Sequence, residues 1–137
     1  MGTPPHVLLV DDDDDFRTLC ARILREQGYR VSQLGDGDQL IAHLEGKGAP
    51  DLIVTDLMMP GRTGWAALGD LRRDTRYASV PVVVMTSRDD EDFRQMARTR
   101  GAQAYVLKPV GPRELIDVVR EALAAAAQPA DPRWRDR

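Results

Sequence analysis

Two adjacent aspartates, Asp11 and Asp12, close the apolar stretch "VLLV". A third, Asp56, closes "DLIVT"; Thr86 and Ser87 end "VPVVVMTS"; Lys108 follows "AYVL". Three carboxylates gathered in one crevice raise one another's pKa unless a cation relieves them. Carboxylate, carbonyl and water oxygens suit Mg²⁺, which takes one or two carboxylates and adds phosphate oxygens. An aspartate left free to react is a covalent phosphoryl carrier. An ammonium and a hydroxyl beside it supply the charge neutralisation and the donor that phosphoryl transfer uses. The residue types therefore fit Mg²⁺-assisted phosphoryl transfer to an aspartate, provided that the fold brings these four segments together.

The elements that must position them alternate. Val7 to Val10 reads as a strand, and Phe16, Leu19, Cys20, Ile23 and Leu24 fall at helical spacing over about Asp14 to Gln27, ended by Gly28. Tyr29 to Leu34 is a second strand, "GDGD" a turn, and Leu40, Ile41 and Leu44 mark a second helix closed by "GKG". "DLIVTD" is the third strand, "MMPGRTG" a loop, and Trp65, Leu68 and Leu71 set a third helix near 64–73. The unbroken valines of "VPVVVMT" suit a strand buried on both faces. Phe93, Met96 and Ala97 lie on a fourth helix ended by Gly101; "AYVL" is the fifth strand; Pro112 opens a fifth helix.

Strand and helix alternate five times, which predicts an α/β fold: a five-stranded parallel sheet, doubly wound, with five helices. Its order is 2-1-3-4-5, with strands 1 and 3 adjacent at the switch point, where ligands bind beyond the carboxyl ends. Asp11, Asp12, Asp56, Thr86, Ser87 and Lys108 all stand at such ends. Asp13 to Asp15 are expected instead to cap and begin the first helix, where carboxylates favour the positive end of the dipole.

Composition narrows the classes. The chain has 137 residues, 30% of them charged and 42% hydrophobic, which is one ordinary domain. A net charge of −3 argues against direct nucleic-acid binding. No stretch is apolar enough to span a membrane, and the start lacks the positive region of a signal peptide. The single cysteine, Cys20, is read as a buried helical thiol, and a cytoplasmic location is expected. His6 and His43 belong to no motif; Trp65 and Phe93 are expected to pack.

"VLLVDDDDDF", "DLIVTDLMMPGRTG", "VPVVVMTS" and "GAQAYVLKP" together resemble the receiver domain of bacterial two-component response regulators. The resemblance runs over 6–127, leaving 128–137 as a tail or linker stump that contains Trp134. It implies that Asp56 accepts a phosphoryl group from the phosphohistidine of a sensor histidine kinase or histidine phosphotransfer protein. Asp12 would then ligate Mg²⁺ directly and Asp11 largely through water, with Asp56 and the backbone carbonyl of Met58 completing the set. Lys108 and the backbones of Leu57 and Ser87 would hold the phosphoryl group. Thr86 would be the switch hydroxyl and Tyr105 the aromatic that follows it, changing a surface of helix 4, strand 5 and helix 5 for an effector or an output domain. Such a domain catalyses its own phosphorylation and dephosphorylation and is not a turnover enzyme. Met58 and Arg88 occupy the positions that tune hydrolysis, and neither is an acid or amide, which implies a moderate to long phosphoryl lifetime.

The sequence departs from many transcriptional receivers at Gln103 and Ala104, where acids used in dimer salt bridges often stand, so a monomer or weak dimer is expected. Two alternatives are weaker. A Mg²⁺-dependent aspartyl-phosphate phosphatase usually carries a second aspartate where Met58 stands. A non-phosphorylated binding scaffold would typically lack one of the site residues, and none is missing.

Overall fold

The computed structural model describes residues 2–57 and 64–126, together with the backbone of 135 and 136. Six strands and five helices are seen there: β1 (His6–Val10), α1 (Asp14–Glu26), β2 (Arg30–Leu34), α2 (Leu40–Lys47), β3 (Leu52–Thr55), α3 (Gly64–Arg73), β4 (Val82–Thr86), α4 (Glu91–Thr99), β5 (Ala104–Leu107), α5 (Pro112–Ala126) and β6 (Arg135–Asp136). The strand order is β2-β1-β3-β4-β5-β6, and every pairing is parallel. The expected order of the first five strands therefore holds. The sheet is one strand wider than expected, because two residues of the expected tail pair with the edge of β5. An edge strand offers unpaired backbone groups. A two-residue strand carries no periodicity for a sequence to reveal. Trp134 and Met58 to Thr63 lie outside the described residues.

Local chemistry accounts for the helix ends. The Asp13 carboxylate accepts the Phe16 N–H at 3.0 Å and caps α1, with Asp14 and Asp15 in the first turn. Asp90 caps α4 in the same way through the Phe93 N–H at 2.7 Å. Gly28 and Gly101 take φ of +95° and +86° where the chain leaves α1 and α4. "GDGD" forms a 3₁₀ turn, Gly37–Gln39, capped by Asp36. α2 passes through Gly46 to Lys47 before Gly48 turns the chain at φ +85°.

The pleat sorts the core into two layers. Leu8, Val10, Ile53, Val82, Val84 and Tyr105 face α2, α3 and α4, packing on Leu40, Leu44, Leu68, Leu71, Phe93 and Ala97. Val7, Leu9, Leu52, Val54, Val83, Met85 and Val106 face α1 and α5, packing on Cys20, Leu24, Leu115, Val118 and Val119. Every residue of β4 is buried, as its valine run requires. At the amino ends of the strands, Arg72 of α3 donates to the carbonyls of Ala78, Val80 and Gly101, at 2.7 to 2.9 Å, tying together the loops on either side of β4 and α4.

Candidate functional site

The carboxyl ends of β1, β3, β4 and β5 are held level by backbone bonds that continue the sheet. The Asp56 N–H donates to Val10 O at 3.0 Å, the Asp11 N–H to Leu34 O at 3.1 Å, and the Lys108 N–H to Thr86 O at 2.9 Å. Side chains that follow these strands therefore emerge into one crevice. Asp11 and Asp56 are buried there, at 2% and 6% exposure. The Lys108 ammonium stands between them, with Nζ 2.6 Å from Asp11 Oδ2 and 2.7 Å from Asp56 Oδ2. The Phe16 ring also lies near it, with its centroid 5.0 Å from Nζ.

Charge in this crevice is balanced against burial. Desolvation raises the Asp11 pKa above the ordinary carboxylate value, more than the Lys108 and Asp13 hydrogen bonds lower it, and the Asp56 charge adds to the rise. Burial also works against the Lys108 charge, but the hydrogen bonds and attraction from Asp11 and Asp56 outweigh it and hold its pKa above the usual lysine value. Asp11 Oδ1 accepts the Asp13 N–H at 2.9 Å. Asp11 Oδ2 is buried and faces the Lys108 ammonium. Burial, then the Asp11 charge, push the nearby Cys20 thiol up to about 11, so it stays protonated.

Of the other sequence-predicted residues, Asp12 and Ser87 lie exposed beside the crevice, and Leu57 is buried. Thr86 is buried, and its Oγ1 accepts the Arg88 N–H at 3.3 Å. Tyr105 is fully buried, and its hydroxyl donates to the Arg88 carbonyl. One peptide unit on each side of Arg88 thus links Thr86 to Tyr105. Among the described residues, no three His, Cys, Asp or Glu side chains form a cluster that could hold a metal. Two converging carboxylates nonetheless suffice for Mg²⁺, which retains several waters. Met58, expected to add a carbonyl, lies outside the described residues.

Two further residues shape the crevice. Gly64 begins α3 directly against the Asp56–Leu57 backbone: a Cβ there would lie 2.6 Å from Leu57 Cα and 2.9 Å from Asp56 O. Arg17, one helical turn into α1, reaches back to the Asp11 carbonyl. Both are tertiary relationships. The sequence places Gly64 at the start of the third helix but does not show the backbone that it meets, and Arg17 reads as a surface arginine on an acidic helix.

The sequence matches the family described as "Response regulator receiver domain" over residues 7–120. The chain belongs to that family. Among relatives of this receiver domain, the sensory transduction protein RegX3 of Mycolicibacterium smegmatis is 37% identical over 125 residues, covering 91% of this chain and 53% of that protein. The two-component response regulator ORR11 of Oryza sativa subsp. indica is 32% identical over 114 residues, covering 83% of this chain and 78% of that protein. The receiver spans about half the length of RegX3 and of MtrA, another relative. Among solved structures, the chemotaxis response regulator CheY4 of Vibrio cholerae superposes with a TM-score of 0.81 at 28% identity, covering 88% of this chain and 99% of that one. The receiver domain of the sensor histidine kinase PA1611 of Pseudomonas aeruginosa, with magnesium in its active-site cleft, gives 0.80 at 26% identity, covering 88% and 98%.

Beside its acidic crevice, this receiver domain carries an aromatic row clad in arginine. Trp65 and Phe93 meet edge to face at 4.8 Å between centroids, and Phe93 and Tyr105 at 6.1 Å. Arg88 lies over Phe93, Arg94 over Tyr105 and Arg100 over Trp65, at 4.9, 5.1 and 5.5 Å. Burial is the main cause that raises the Tyr105 phenol to about 12, so it remains a donor throughout the physiological range. Among the described residues, no helix is long and apolar enough to cross a membrane.

Proposed function

We propose that Asp56 accepts a phosphoryl group from a phosphohistidine on a sensor kinase or histidine phosphotransfer protein, and that the aspartyl phosphate changes the α4–β5–α5 surface for an effector. The observation that carries this reading is the convergence of Asp11 and Asp56 on the Lys108 ammonium at 2.6 and 2.7 Å. Two buried carboxylates share one cation, which leaves an excess negative charge in the crevice. That donor set suits a hard divalent cation. Asp11, Asp12, Asp56 and the Met58 carbonyl would hold Mg²⁺, which when bound neutralises charge on the phosphoryl oxygens.

The chain's own groups do the rest. An Asp56 carboxylate oxygen attacks phosphorus; the O–P bond forms as the P–N bond to the donor histidine breaks, and the imidazole leaves with the electron pair and takes up a proton. Lys108 exchanges its carboxylate partners for phosphoryl oxygens, and the backbone N–H groups of Leu57 and Ser87 add neutral donors. Thr86 turns its hydroxyl from the Arg88 N–H toward the phosphoryl group. The Arg88 N–H then loses its Thr86 acceptor, while the Arg88 carbonyl keeps the Tyr105 hydroxyl. The Tyr105 ring lies inward, so following Thr86 would mean a change of hydrogen bonding and of packing on Arg94 and Phe93. Met58 and Arg88 offer no acid or amide to orient a water, which favours a moderate to long phosphoryl lifetime.

Intact mass after incubation with Mg²⁺ and a small acyl phosphate tests this reading. One added phosphoryl group on the wild type, absent with EDTA and absent from Asp56→Asn, is the expected result. Equal addition to Asp56→Asn would remove Asp56 from its role.

A further inference from the structure

The acidic run needs something to hold its shape, and Arg17 is placed to do so. Its side chain is only 13% exposed although it springs from the first turns of a surface helix. Long helical side chains lean toward the helix N-terminus, and this one leans into the β1–α1 loop. Nη1 donates to the Asp11 carbonyl, Nη2 to Asp14 Oδ1 at 2.7 Å, and Nε to Gln33 Oε1 on β2 at 3.1 Å. The Asp11 carbonyl lies ahead of the α1 cap, so it has no place in the helical ladder. The Asp11 N–H is tied to Leu34 O, and its carboxylate accepts the Asp13 N–H. With Arg17 on the carbonyl, both peptide units of Asp11 are fixed. The second of these sets the direction in which Asp12 leaves the chain.

We propose that Arg17 is a positioning residue for Mg²⁺: by clamping the Asp11 carbonyl to α1 and β2, it fixes the Asp11–Asp12 peptide and presents both carboxylates to the ion. This rests on the reading of the crevice as a Mg²⁺ site. The sign of the effect separates the clamp from simple electrostatics. Removing a positive charge beside a cation site tightens cation binding by Coulomb's law. Removing a clamp loosens it, and outer groups that orient ligands are commonly worth 10- to 100-fold in metal affinity.

The test is calorimetric Mg²⁺ titration of the full chain as wild type, Arg17→Gln, Arg17→Lys and Gln33→Leu, alongside the Mg²⁺ dependence of phosphorylation by a small acyl phosphate. The expected result is a Kd weakened about 10-fold in Arg17→Gln, with smaller shifts of the same sign in Arg17→Lys and Gln33→Leu. Phosphorylation of Arg17→Gln should return toward the wild-type rate at saturating Mg²⁺. A merely structural loss would lower that plateau and leave the Mg²⁺ midpoint in place. An unchanged or tighter Kd in Arg17→Gln overturns the proposal. Should Arg17→Gln not fold, an unshifted Kd in both Arg17→Lys and Gln33→Leu overturns it equally. Wild type that fails to bind Mg²⁺ at all would overturn the reading of the crevice itself, a result distinct from equal binding by wild type and variants.

Discussion

Lys108 Nζ stands 2.7 Å from Asp56 Oδ2, and the two residues are 52 positions apart in the chain. The same ammonium reaches Asp11, so one lysine is shared by two buried carboxylates. Lys108→Met should therefore act in opposite directions on binding and chemistry. Mg²⁺ affinity should rise, since a competing cation is gone. The phosphorylation rate at saturating Mg²⁺ should fall by roughly 10²-fold, the usual worth of a positioned transition-state donor. In EDTA the variant should lose about 3 kcal/mol, because a buried pair has lost one member, and added Mg²⁺ should return most of that. Urea titration with and without Mg²⁺, and a phosphorylation time course, read the three effects.

Asp11 carries a cost of the opposite kind. Its pKa is raised in the fold, chiefly by desolvation. A carboxyl whose folded pKa exceeds its unfolded pKa contributes stability below the unfolded value and loses it as pH rises through the folded one. At neutral pH the ionised Asp11 thus burdens the metal-free chain. Asp11→Asn should raise Tm in EDTA by several degrees, about 1 kcal/mol, and flatten that part of the pH–stability profile. The gain should vanish at low pH. A fall in Tm at neutral pH would show that the Lys108 contact dominates after all.

Gly64→Ala tests the close approach of α3 to the Asp56–Leu57 backbone. The added methyl would sit 2.6 Å from Leu57 Cα, so backbone must move. The expected cost is about 1–3 kcal/mol. A displacement of the reacting carboxylate by an ångström can lower the rate about 10²-fold. Denaturant melts and phosphorylation rates at equal folded fraction separate the two effects. A variant with wild-type rate would place the strain elsewhere.

Arg72 should behave in the reverse manner. Its three carbonyl acceptors are at the end of the sheet away from the crevice. Burial lowers its pKa, yet arginine stays charged at every physiological pH. Arg72→Met should cost about 2–3 kcal/mol, since hydrogen bonds from a charged donor are the stronger kind. Mg²⁺ affinity and phosphorylation rate of the folded fraction should not change. Hydrogen exchange should quicken first in the α3–β4 and α4–β5 loops.

Most of the sheet was legible because its signals are local. The apolar runs of Val7–Val10 and Val82–Thr86 stop where polar residues begin, and those stopping points are Asp11 and Thr86. Once the alternation of strands and helices implied a parallel sheet, the stopping points had to meet at one end. That is why the sequence alone brings Asp11, Asp56 and Lys108 to one crevice. What stayed hidden depends on reach across the fold. Arg17 looks like one more exposed helix arginine until its guanidinium is seen turned under the loop. Gly64 looks like an ordinary first residue of a helix until the backbone it touches is known. Tyr105 gave no sign from sequence of lying inward with its hydroxyl on Arg88.

The β5 edge has one more consequence. The backbone of Tyr105 is paired with Val84 of β4 on one side and with Asp136 of β6 on the other. A strand paired on both margins is harder to peel from the sheet than an edge strand. On the function proposed above, a message from Asp56 that crosses this part of the sheet would travel as rotations of side chains. An approaching partner likewise finds no vacant margin at Ala104 and Tyr105 on which to zip a strand of its own. On the function proposed above, it would read the relief of α4 and α5 instead, one side chain at a time.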